Sequence, residues 1–167
     1  IYVYQALKKI LKSKGLSINV GDEGGFAPQL DNTKQALNLI CEAIDQTKYK
    51  LGTDVQLALD VAASELSTPL ESATTNTYAY SIDGVQRDSN DMVVFYKELL
   101  NQYPIISIED PLAEEDWNGF TNMTAVLGNS LQIVGDDLFV TNAKRLNKGI
   151  RQHAANAVLI KPDQIEI

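Results

Sequence analysis

"PIISIED", residues 104–110, is a short apolar run that closes on two carboxylates. It reads as a strand, and two later stretches have the same form: "LQIVGDD" at 131–137 and "NAVLIK" at 156–161. An earlier run, "VQLALDVAAS" at 55–64, belongs with them. Helical patterns are expected at 115–127 and 142–155, between the later strands. Strands alternating with helices of this length imply right-handed crossovers and a parallel sheet. The runs are apolar throughout, as sheets covered on both faces require. The fold class is therefore α/β, with roughly four parallel strands and flanking helices.

Working outward, residues 1–14 place Tyr4, Leu7 and Leu11 on one helical stripe with Val3, Ala6 and Ile10 beside it, and Gly15 stops the helix. Asn32 precedes Gln35 by three residues, a capping-box-like start for a helix that buries Leu37, Ile40 and Ile44. The polar stretch from about 66 to 88 contains the alternating "TYAYSIDG" and reads as an excursion or small hairpin. Ser89 is expected to cap a helix whose Met92, Phe95, Tyr96 and Leu99 share a face. No linker, low-complexity segment or repeat interrupts the chain, which reads as one domain or part of one.

Of the 167 residues, 44% are hydrophobic and 22% charged, ordinary values for a globular domain able to bury a core. The net charge of -8 argues against a nucleic-acid or anionic-membrane partner. An anionic substrate remains compatible if a metal ion reverses the local sign. The single cysteine, Cys41, forbids an intrachain disulfide, reads as a small core residue, and points to the cytoplasm. No apolar run approaches the roughly 18 residues of a membrane span. The opening "IYVYQALKK" has neither an initiator Met nor a signal-peptide layout, and it begins inside a helical pattern as though something preceded it.

Each of the first three strands ends in an acid: Asp60 after "QLAL", Glu109 after "IISI", and Asp136 after "QIVG". The fourth ends in Lys161 after "AVLI". In parallel α/β architectures the carboxyl ends of the strands face one way, and ligands bind there. The plain alternative is that such acids only cap the following helix, which Glu114, Glu115 or Asp137 could do. Three successive acids and a lysine make coincidence a poor explanation. Unpaired, three facing carboxylates would repel one another, and a hard cation such as Mg²⁺ resolves this. The lysine is then either a salt bridge or a base tuned by the metal. The set suits proton abstraction next to a carboxylate. The glycine-rich "VGDEGGFAP" at 20–28 holds Asp22 and Glu23 on backbone built to bend, as a plain turn or as a loop that aims a carboxylate.

Five motifs, "NVGDEGGFAP", "LALDVAASE", "SIEDPLAEEDW", "QIVGDDLFVTN" and "NAVLIKPDQI", resemble the enolase (phosphopyruvate hydratase) family in order and approximate spacing over essentially all 167 residues. The resemblance implies a TIM-like (β/α)8 barrel, of which this chain would be the middle, since such barrels need about 250 residues. It implies a lyase of glycolysis that dehydrates 2-phosphoglycerate. Asp60, Glu109 and Asp136 would hold Mg²⁺, and Lys161 would remove the proton α to the substrate carboxylate. Glu23 would help the hydroxyl leave, and Asp137 would support the metal position without ligating it. The family's smaller N-terminal domain, a further acid upstream, and a His, an Arg-Ser pair and a second Lys downstream are not carried by residues 1–167. His153, the only histidine, sits in a helical pattern and is read as a surface residue. The family is typically homodimeric. These features lead us to expect a partial, inactive fragment of the enolase barrel. The other readings are a non-catalytic binding fragment, or an unrelated open α/β domain that binds Mg²⁺ in the manner of a phosphoacceptor. Glu23 in its glycine loop and the strand-end Lys161 argue against the last.

Overall fold

The computed structural model describes residues 1–70 and 77–164, which divide into two compact units, Ile1–Gln56 and Leu57–Ile167. In the first unit, α1 (Tyr2–Ser13) packs on α2 (Thr33–Asp45). Ile10, Leu11, Leu39 and Ala43 form its buried centre, with Val3, Ala6, Leu7, Leu16 and Phe26 against them. Gly15 ends α1 at φ +69°, with its own N–H donated to Lys12 O and the Leu16 N–H donated to Leu11 O. This left-handed turn satisfies the last carbonyls and folds Leu16 back onto the core. Asn32 caps α2 by accepting the Gln35 N–H at 2.9 Å, while the Gln35 side chain accepts the Asp31 N–H instead of that of Asn32. Cys41 is half-buried, not a core residue, and burial raises its thiol pKa.

In the second unit the chain runs β1 (Leu57–Asp60), a 3₁₀ turn (Ala63–Leu66), β2 (Ser67–Leu70), β3 (Thr77–Ile82), β4 (Val85–Arg87) and α3 (Ser89–Leu100). It continues through β5 (Ile105–Glu109), α4 (Trp117–Leu127), β6 (Gln132–Gly135), α5 (Ala143–Gln152) and β7 (Ala157–Val158). β1, β5, β6 and β7 form one sheet, parallel throughout and adjacent in chain order. The 66–88 excursion is a separate antiparallel sheet, β2-β3-β4. Asp83 and Gly84, both at positive φ, make the two-residue turn between β3 and β4, the geometry that an Asp-Gly pair favours in a hairpin. Residues 71–76 of that excursion, and 165–167, lie outside the described residues.

Ile108 and Ile133 lie side by side on the helix-covered face of the parallel sheet, both fully buried. Met92, Tyr96 and Leu99 of α3, and Phe120 and Met123 of α4, are fully or almost fully buried. The opposite face carries Ala58 and Gln132, both exposed, so only one side of this sheet is covered by its own unit's helices. β5 holds an irregularity: Leu57 pairs with Ile105, but Ala58 pairs with Ser107, leaving Ile106 as an extra, exposed residue. The bulge brings Asp60 level with Glu109 on the open face.

Several expected boundaries shift. Asp88, not Ser89, caps α3, in a reciprocal box with Asp91. Ser89 is the first helical residue, and its hydroxyl donates to Asp116 Oδ2 at 2.5 Å. Asp116 caps α4 by accepting the Gly119 N–H, and the Tyr80 hydroxyl also donates to its Oδ2, at 2.7 Å. The last strand covers only Ala157–Val158 instead of 156–161. Beyond it the Lys161 N–H is taken by the Thr141 hydroxyl, and Pro162, which lacks an N–H, opens a 3₁₀ turn. Among the described residues, no helix is long and apolar enough to cross a membrane.

Candidate metal centre

The carboxyl ends of β1, β5 and β6 deliver the acids because their registers step together. Asp60 pairs with Glu109, and Glu109 pairs with Val134, two residues before Asp136. Side chains two apart on a strand share a face, so all three acids belong to the open face. The backbone is tightly turned at this rim. Ala62, Asp110, Val140 and Thr141 all sit at positive φ, a conformation unusual for branched residues such as Val140 and Thr141. Outlying backbone of this kind gathers at functional sites.

Among the described residues, Glu109, Asp110 and Asp136 each offer a carboxylate oxygen within 4.8 Å of the others. Asp136 is buried, and Lys161 Nζ donates to its Oδ2 at 2.5 Å. Its Oδ1 is buried without a hydrogen-bond partner. Asp60 stands on the neighbouring strand, exposed, and contributes its field to Glu109. The Glu109 carboxyl is pushed above its ordinary pKa, first by desolvation, then by Asp60, Asp136 and Asp110; Lys161 partly opposes them. The Lys161 ammonium is held above the usual lysine range, mainly by its hydrogen bond to Asp136. This is a cluster of negative groups with one cation tied to one of its acids. An orphaned, buried carboxylate oxygen beside a second carboxylate fits a hard divalent ion.

Asp110 was not among the sequence candidates. Both of its oxygens accept backbone N–H groups, from Asp136 at 3.1 Å and from Asp137 at 2.8 Å. Asp137 caps no helix; Asn142 caps α5. Glu115 is drawn below the usual carboxylate range by Arg145, whose guanidinium also donates to Glu114 O and Leu138 O and lies over Trp117. Arg145 thus ties the loops after β5 and β6 together. His153 ends α5 in a left-handed conformation and is exposed.

Glu23 belongs to the first unit. There the Gly24 N–H donates to Gly21 O at 3.0 Å, closing a turn with Asp22 and Glu23 at its tip. The Gly21 N–H reaches Gly25 O, Val20 bridges Phe26, and Tyr4 stacks on Phe26 at 4.4 Å. Gly24, at φ +82°, allows that turn, and Glu23 is exposed on it.

The entire chain, residues 1–167, matches the family described as enolase, C-terminal TIM barrel domain. The chain belongs to the enolase family. Enolase from Corynebacterium kroppenstedtii is 52% identical to it over 163 residues. That alignment takes in 98% of this chain and 37% of the relative, so the chain spans well under half the length of the curated protein it matches. The four-stranded parallel sheet with its helices is thus part of an enolase-type TIM barrel. The acids lie at its strand ends, where such barrels bind ligands, and Lys161 lies in the loop beyond β7.

Proposed function

We propose that this chain supplies the cation-binding and proton-accepting side of a lyase that dehydrates 2-phosphoglycerate to phosphoenolpyruvate in glycolysis. The observation that carries the reading is Asp136, with one oxygen on the Lys161 ammonium and the other buried and unpartnered. Leaving such an oxygen unmatched is costly, and a cation would satisfy it. Asp60, Glu109 and Asp136 would hold Mg²⁺, which when bound offsets the carboxylate field around Lys161 and neutralises charge gathering on the substrate carboxylate.

Lys161, once deprotonated, takes the proton from the carbon α to the substrate carboxylate: an N–H bond forms, and the C–H pair moves toward the carboxylate. The carbon–oxygen bond at the next carbon then breaks, and the hydroxyl leaves as water with a proton from an acid, the role that the family resemblance assigns to Glu23. Thr141 accepts the Lys161 N–H and so holds the backbone on which that lysine stands. Residues 1–167 form part of the catalytic barrel. A smaller N-terminal domain and the remaining barrel strands would supply the rest of the substrate site, in a cytoplasmic homodimer without a nucleic-acid or membrane partner.

Binding and orientation of reactants lower a barrier by about 7–11 kcal/mol. With that share located elsewhere, residues 1–167 alone should show no measurable dehydration of 2-phosphoglycerate. A protein extended to the relative's length should be active, and Lys161→Ala should abolish that activity. Calorimetry should detect Mg²⁺ binding that Asp136→Asn weakens substantially. Robust turnover by the 167-residue chain, or full activity of Lys161→Ala, would overturn this assignment.

A further inference from the structure

We infer that Asp110 is a positioning residue for Asp136 and not a cation ligand, although its carboxylate lies within the acidic cluster. Asp110 is buried, only 3% exposed, at the turn that leads β5 away from the sheet. Its φ of +40° turns the side chain out of the strand alternation that Glu109 follows onto the open face. Oδ1 accepts the N–H of Asp136 and Oδ2 that of Asp137. These are the two residues that directly follow β6. One carboxylate therefore grips two consecutive peptide units and fixes where the Asp136 side chain leaves the backbone. Its own N–H donates to Val134 O at 3.0 Å, and its carbonyl takes the Ala63 N–H at 3.1 Å, so residue 110 fastens the ends of three strands.

The buried, unpartnered Oδ1 belongs to Asp136, whose backbone N–H this grip holds, while Lys161 holds the other oxygen. Asp110, by contrast, has both oxygens already matched to N–H groups, which offset part of the cost of burying its charge. An Asn in its place would turn an NH₂ toward one of two N–H groups, setting donor against donor.

The inference rests on the proposed function only where cation uptake is concerned, so the test reads the grip separately. In metal-free chain, hydrogen exchange of the Asp136 and Asp137 amides is followed by ¹⁵N NMR for wild type, Asp110→Asn and Asp110→Ala. The Ile108 and Ile133 amides serve as the folding reference. The expected result is exchange faster by about tenfold or more at 136 and 137, the factor implied by losing a charged hydrogen bond, with the reference amides unchanged. Calorimetric Mg²⁺ affinity should fall about 10–100-fold, as when a group that orients a ligand is removed. If Asp110→Ala also loses protection at the reference amides, Asp110→Asn is the variant that decides. Unchanged exchange at 136 and 137 overturns the inference, and if affinity falls all the same, Asp110 is a ligand. A wild-type chain that takes up no Mg²⁺ overturns the proposed function, while the amide rates still decide Asp110.

Discussion

Replacing Asp116 with alanine should damage the second unit more than any cap alone would. Asp116 is 3% exposed and serves three donors: the Gly119 N–H, the Tyr80 hydroxyl and the Ser89 hydroxyl. Loss of an N-cap costs about 1 kcal/mol. Tyr80 is fully buried, and leaving its hydroxyl without its acceptor adds about 1–3 kcal/mol. Ser89 is close enough to the surface to regain water and adds little. The sum is about 2–4 kcal/mol against the 5–15 kcal/mol typical of a whole domain. Urea unfolding of the chain, followed by circular dichroism and by Trp117, its only tryptophan, gives the loss directly. Tyr80→Phe measured in both backgrounds should show a coupling of about 1 kcal/mol or more. A loss below about 1 kcal/mol for Asp116→Ala, or additive behaviour of the pair, would refute a shared buried node.

Gly119→Ala should destabilise α4, although alanine is ordinarily the better helix former by about 1 kcal/mol. A Cβ there would stand 2.5 Å from Asp116 Oδ2, and that carboxylate is pinned by its three donors; a raised unfolding midpoint would contradict this. Glu109→Gln should raise the melting temperature of metal-free chain at neutral pH, because burial and Asp60, Asp136 and Asp110 disfavour the ionised form. With its folded pKa above the ordinary 4.5, Glu109 contributes stability that is complete below 4.5 and lost as pH rises through the folded value. The advantage of Gln should therefore vanish in scans taken below that pH, and an advantage independent of pH would count against the electrostatic cause.

The strand order was legible because apolar runs at regular intervals leave few parallel topologies, and the acids after them marked one rim of the sheet. The caps were less legible. In "QRDSN" both Asp88 and Ser89 are good cap residues, and what separates them is a demand from 27 residues onward, where Asp116 takes the serine hydroxyl. The shortening of the last strand follows from its partners, since beyond Val158 a threonine hydroxyl, not a strand, receives Lys161. Asp110 was hidden by its neighbour. In "SIEDP" two adjacent acids look interchangeable, and only the left-handed turn separates the one that faces the open sheet from the one that holds peptide N–H groups.

The bulge in β5 has a consequence for how this strand can vary. Ile105 and Ile108 are both buried though three residues apart, and Glu109 still lies level with Asp60. That is possible only because one uncounted residue stands between the half of the strand that packs and the half that presents an acid. Ile106 itself is 45% exposed. Its side chain is therefore close to free in identity, while its place in the count is not: a one-residue change of register turns every side chain to the opposite face. Many amino acids would serve at position 106, but a chain one residue shorter there would have to give up either its packing or its alignment of acids.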